Sequence, residues 1–302
     1  MSPESSPGSI AHITSQTPLN PAINAWRVYL DDQGKSPHTV KAFLADVSLL
    51  AGFLPPDRPM GEISTNELNN FLQWMQNNRG VPCSPKTLAR RITSLKAFFR
   101  WLHQYGVLLV DPAERVVQHS VISPLPEVLT PDEVDALLDA ANKHRHKRQP
   151  DARYFTLIAL LLETGIKKSE TLSLSHNHID LEAPEGPILF VRYASPQHRY
   201  KERKIALSDS WIVAYHEYKS QYPEEEQVFP WSPRRLEYLL EDLGEEASLK
   251  KHVSFDMCRW TCALSDWQAE MDHNKIRQKL GISKIQWREV RMKLEQLAES
   301  SQ

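Results

Sequence analysis

The chain has 302 residues, of which 41% are hydrophobic and 25% charged, with a formal net charge of −2 at pH 7. This is the composition of an ordinary globular protein long enough for two domains, and no apolar stretch approaches the ~20 residues that a membrane span requires. The near-zero net charge gives nucleic-acid binding no global support, so any phosphate contacts must come from local basic stripes.

Residues 1–19 are rich in Ser and Pro and carry neither Lys nor Arg. They read as a disordered tail, not as a signal or transit peptide. From 20 to 112 the pattern is helical. The segment PAINAWRVYLDDQ has apolar residues at helical spacing and stops at Gly34. Ser36-Pro37 opens a second helix whose stripe is Val40, Phe43, Leu44, Val47 and Leu50. Ser64 or Thr65, with Glu67 behind, caps a third. The fourth, SPKTLARRITSLKAFFRWLHQYG, sets Leu88, Ile92, Leu95, Phe98, Phe99 and Leu102 on one side and Lys86, Arg90, Lys96 and Arg100 on the other.

Residues 110–133 run through four prolines with no sustained period, which predicts an interdomain linker over 113–129 ending at the cap Thr130-Pro131-Asp132-Glu133. Over 130–302 the spacing predicts helices near 131–143, 151–164, 208–221, 232–246, 254–271, 272–280 and 283–299. Between the second and third of these, PILFVRYA and KERKIAL read as two strands joined by a turn at 195–200. The fold class is therefore mainly α: a helical domain followed by a mostly helical one with a small antiparallel sheet.

Acid gathers in Glu224, Glu225, Glu226 and residues 237–246, and base in residues 86–100, 192–204 and 275–293. The three cysteines, Cys83, Cys258 and Cys262, are few and odd in number. That suits a reducing cytoplasm and argues against a disulfide framework. Cys258 and Cys262 are four residues apart with His252 and Asp266 nearby. A metal pair is one reading, but cysteines buried in a helix are far commoner, so neither a metal nor a cofactor is expected.

Taken in order, these segments resemble the tyrosine recombinase (phage integrase) family over about residues 20–295. SPHTVKAFLADVSLLAGFL and SPKTLARRITSLKAFFRWLHQYGVLLVDPA are similar to its SAM-like core-binding domain. LLLETGIKKSETLSLSHNHIDL, KERKIAL, FDMCRWTCAL and LGISKIQWREVRM are similar to successive words of its catalytic domain. The resemblance implies site-specific breakage and rejoining of duplex DNA, with two arginines gripping the scissile phosphate through paired hydrogen bonds and a tyrosine near the C-terminus as nucleophile.

At the positions that the resemblance marks, this chain holds different residues. Lys167 stands at the first arginine and Glu170 at its acidic companion, while Arg259 is retained at the second arginine. Asp256 takes a histidine position, and Ile282 the position of a second histidine or tryptophan, with Trp287 an unaligned substitute. An ionised Asp256 about 4 Å from a phosphodiester would oppose its transition state by about 1 kcal/mol in water and ~4 kcal/mol at an effective dielectric of 20. His198 falls where the hairpin lysine is expected, with Lys201 one alternative. Arg291 occupies the place of the tyrosine, and no tyrosine follows Tyr238.

Three functions remain open at this stage. The first is a pseudo-recombinase that clamps around duplex DNA without cutting it, as a regulator or as an accessory subunit, with Arg259, Lys167, Lys201, Arg203, Lys86, Arg90, Lys96 and Arg100 as phosphate contacts. The second is a working recombinase with an atypical site. The third is a protein-interaction scaffold. Homo-oligomers, or hetero-oligomers with an active relative, would form through the C-terminal helix.

Overall fold

Serine and threonine caps set where most helices begin in the computed structural model, which describes residues 10, 12–81, 83–118, 124–223 and 225–300. The chain divides into two units, Met1–Ser123 and Pro124–Gln302.

In the first unit α1 spans Leu19–Asp32, α2 Pro37–Phe53, α3 Thr65–Asn77 and α4 Pro85–Gln104. Ser36 and Ser84 accept from the amides of Thr39 and Thr87, each followed by proline at the first helical position. Ser64 and Glu67 form a reciprocal capping box. Each cap satisfies amides that the helix itself leaves unpaired and is worth about 1 kcal/mol. The apolar stripes meet in a core around Leu50, Phe71, Phe98 and Phe99, where the Trp26 ring meets Phe98 edge-on at 5.1 Å.

The inner end of the expected 1–19 tail belongs to this unit. Ile13 is buried in its core. The Gly61 amide donates to Ser15 O at 2.8 Å and the Met60 amide to Thr17 O at 3.1 Å. A Cβ on Gly61 would meet Ser15 Cβ at 2.9 Å, so the approach needs glycine. Burying one isoleucine is worth about 1.5–3 kcal/mol, which helps dock an otherwise polar segment. The rest of the expected tail, residues 1–9 and 11, lies outside the described residues. The expected 113–129 linker is also anchored in part: Ala113 and Val116 lie in the first core and Leu129 in the second, while 119–123 lie outside the described residues.

The second unit contains α5 (Pro131–Arg145), α6 (Arg153–Thr164), the short α7 (Lys168–Leu172), α8 (Asp209–Gln221), α9 (Pro233–Glu246), α10 (Phe255–Gln268), α11 (His273–Lys279) and α12 (Lys284–Ser300). Its sheet is β1 (Ile179–Asp180), β2 (Ile188–Val191) and β3 (Arg203–Ala206), antiparallel in that order. The register pairs Leu189 with Ile205 and Val191 with Arg203. The expected hairpin is thus present with shorter strands, its turn a 3-10 segment over Pro196–Lys201, and β1 is an addition.

The apolar α6, with Leu157, Ile158, Leu160 and Leu161 buried, packs on α5, α8 and α10. It ends at Gly165, whose φ of +59° is left-handed and where a Cβ would meet Cys262 Sγ at 3.2 Å. A smaller cluster of Ala263, Leu264, Ile276, Leu280, Leu294 and Leu297 seats α12 against α10. Among the described residues no helix is long and apolar enough to cross a membrane.

Candidate nucleic-acid-binding site

The N-terminus of α7, the exit of β2, the start of β3 and α10 converge on one buried carboxylate. Lys167 caps α7, and its amide donates to Glu170 Oε2 at 2.8 Å. Arg203 forks onto the same group, Nη1 to Oε1 at 3.0 Å and Nη2 to Oε2 at 2.8 Å. The Tyr193 hydroxyl donates to Oε1. Only 2% of the Glu170 side chain and 7% of the Arg203 side chain are exposed. Burial alone would raise the carboxyl, but the guanidinium, the amide and the hydroxyl together hold it at about 2. The Tyr193 phenol moves the other way, pushed to about 12 by burial and by the bond it gives Glu170.

Arg203 has little left to offer a ligand. Its Nε donates to Lys279 O at 2.6 Å and Nη1 also reaches Lys201 O at 3.2 Å. It holds Glu170 in place and ties β3 to the end of α11. Gly281 makes room for it, with a φ of +60° and a Cβ that would lie 2.6 Å from Arg203 Nη1.

Arg259 stitches two chain turns together, donating to Gly165 O and, at 2.5 Å, to Leu280 O. Two donors out of five are used in this way, so its guanidinium retains capacity for a ligand. Burial lowers its pKa, yet it remains a cation at neutral pH. Lys167 is lowered as well, first by burial and then by the neighbouring Arg259 charge, with Lys201 and Arg203 adding to the effect. Four cations thus act on one another around a single buried carboxylate, and this residual positive field is what an anion would relieve.

The other expected site residues lie at or away from this corner. Asp256 is exposed in the first turn of α10, where the helix dipole favours it, and it adds only the smallest of the charges acting on Arg259. His198 is exposed, its ring edge-on to Tyr193 at 5.9 Å. Ile282 packs into the cluster beneath α12, as does Trp287, whose ring lies 6.1 Å from His273. Arg291 is exposed on α12 and donates to Glu295 Oε1 at 2.8 Å.

Lys168 pairs with Glu237 at 2.5 Å. Beside the corner an open pocket of about 670 Å³ is lined by Lys201, Lys204, Lys275, Arg277 and Lys279 among others. In the other unit Lys86 and Arg100 are exposed on α4, but Arg90 is committed to the buried Asp46. Ser94 donates to that carboxylate at 2.7 Å, and Lys96 Nζ reaches Glu114 O at 3.4 Å. The free basic face of α4 is therefore narrower than its spacing suggests.

Cys258 and Cys262 are buried free thiols, pushed by burial to about 12 and about 11. His252 is turned to Glu241 at 4.0 Å. Among the described residues no group of three or more His, Cys, Asp or Glu side chains is placed to hold a metal ion. Tyr193, which completes the Glu170 shell, carries no local sequence signal, because it lies 23 residues along the chain from its partner.

A helical unit is thus followed by a helical unit with a three-stranded sheet, its cationic corner built from α7, β3 and α10. The chain belongs to the phage integrase family, whose model matches residues 127–289, and the N-terminal SAM-like domain of phage integrases matches residues 23–106. The tyrosine recombinase XerC of Mycobacterium sp. (strain JLS) is 30% identical over 164 residues, covering 54% of this chain and 55% of the relative. That of Mycobacterium bovis (strain BCG / Pasteur 1173P2) is 34% identical over 148 residues, 49% of each chain. The chain thus spans about half the length of the curated relatives it matches. In fold it is similar to a lambda integrase tetramer bound to a Holliday junction, with a TM-score of 0.71, 14% identity and coverage of 92% of this chain and 78% of that one. The XerH site-specific recombinase bound to difH substrate gives a TM-score of 0.64 at 18% identity, covering 86% and 78%.

Proposed function

We propose that the protein binds duplex DNA as a non-cleaving member of its family, acting as a regulator or accessory subunit in recombination or integration. The observation that carries this reading is the pairing of a retained cationic corner with the loss of a nucleophile. Lys167 and Arg259 keep donors beside a buried anchor, while Arg291, at the place of the tyrosine, is engaged with Glu295. Tyr193, the phenol within the corner, keeps its proton and donates a hydrogen bond to Glu170, and it is a poor nucleophile near neutral pH, because its pKa is raised to about 12.

Family membership supports the DNA-binding half of the reading, as do the lambda integrase and XerH neighbours, which are themselves DNA complexes. Ile285 and Met292 support assembly through α12: seven residues apart on one face, they are 79% and 59% exposed. Incubated with nicked suicide duplexes, the chain is expected to retard the DNA in a gel and to leave no covalent adduct after denaturation. A trapped protein–DNA adduct would overturn the reading in favour of a working recombinase. Failure to retard any duplex would favour a scaffold.

A further inference from the structure

Glu202, Tyr193 and the turn between β2 and β3 form a hydrogen-bonded frame that carries an exposed aromatic ring. The Tyr193 amide donates to Glu202 Oε1 at 3.0 Å, its hydroxyl is held by Glu170, and its ring meets His198. Within the turn, the His198 amide donates to Ser195 O at 3.0 Å and the Glu202 amide to Arg199 O at 2.9 Å. At the end of this frame Tyr200 is 72% exposed. The ammonium of Lys201 lies 5.2 Å from the centroid of its ring. Arg199 and Lys201 flank Tyr200 in the chain, and it lines the open pocket with Lys201, Lys204 and Lys275 as well as Glu163 and Glu202.

We propose that Tyr200 is a stacking platform for an unpaired base, so that the protein binds duplexes containing an unstacked nucleotide more tightly than fully paired ones. The cations of the turn are satisfied by phosphate, but the ring is not. In an intact duplex both faces of every base are covered by neighbours, whereas an unpaired nucleotide offers phosphate and a bare π face together. The turn's backbone is already held by hydrogen bonds, so the ring and not the turn has to be ordered when it stacks. The inference rests on the DNA-binding reading above, which supplies the rest of the contact.

The test compares the full chain and its Tyr200→Ala and Tyr200→Phe variants on two otherwise identical duplexes. One is fully paired; the other carries an unpaired fluorescent purine analogue. The unmodified chain should prefer the second duplex and quench its fluorophore. Tyr200→Ala should lose ~5- to 150-fold in affinity for that duplex alone, the range that stacking one base gives, while Tyr200→Phe retains the preference. Tyr200 is exposed, so neither variant should disturb folding. Equal binding of both duplexes by the unmodified chain, or no effect of Tyr200→Ala, would overturn the stacking assignment while leaving duplex binding intact and the ring available to a protein partner. Binding to neither duplex would overturn the DNA-binding reading itself.

Discussion

Moving a carboxylate out of water costs several kcal/mol, and the ion persists only where hydrogen bonds and an opposite charge offset the loss. Glu170 meets that condition with four donated bonds from Arg203, Lys167 and Tyr193. Its pKa lies below its usual value of 4.5, at about 2 in the folded protein, so folding favours the ionised form. The stabilisation is therefore fully present above pH 4.5 and disappears as the pH falls through about 2, a total of about 3 kcal/mol. Glu170→Gln keeps the shape but leaves Arg203 buried without its counter-charge, and should cost about 3–5 kcal/mol at neutral pH. Urea unfolding between pH 2 and 7 reads both effects: the unmodified protein should lose its advantage over the variant in the acid range. Curves that stay parallel across that range would refute the role given to Glu170. At this scale the sequence reads unevenly. Lys167, Glu170 and Arg259 stand in local words that mark them. The partner of Arg203 lies 33 residues away, so KERKIAL looks like a strand facing phosphate when its arginine is turned inward. Arg90 misleads for the same reason, since its partner Asp46 comes from another helix.

Helix starts are the most legible elements because their signals are local. Thr130 and Glu133 read as a cap and form a capping box in the structure, with Glu133 also paired to Lys251 at 2.6 Å. Thr130→Ala should cost about 1 kcal/mol, visible as a lower urea midpoint with unchanged slope. No shift in the midpoint would mean that the start of α5 is held by packing alone. The short elements escape sequence reading. β1 has two residues, too few to show any period, and exists because β2 offers an edge to pair with. The inner tail escapes too, because a single buried isoleucine and two backbone bonds leave no pattern in composition. The turn between β2 and β3 is legible as a turn, whereas its bracing is not, since Tyr193 and Glu202 are joined across it by a bond that no local word encodes.

A net charge of −2 conceals how each unit distributes its cations, and the salt dependence of DNA binding is the property that depends on this distribution. Each phosphate contact releases condensed counterions, so the slope of log affinity against log salt falls by about 0.9 for every contact removed. The candidates differ in how freely they can serve. Lys167 keeps its ammonium near Arg259, and Lys86 and Arg100 are exposed, whereas Arg203 is buried against Glu170 and Arg90, though 43% exposed, is paired with the buried Asp46. Lys167→Gln, and separately the pair Lys86→Gln with Arg100→Gln, should therefore shallow the slope by about 0.9 and up to about 1.8, with stability little changed. Arg203→Gln should instead lower stability while leaving the slope of the folded fraction alone. Combining the neutralisations of the two units decides whether both hold the same duplex. If they do, the losses in slope add, because the sites share no side-chain partner. If α4 does not meet DNA, the combined variant will titrate like Lys167→Gln alone, and the contact will belong to the Pro124–Gln302 unit.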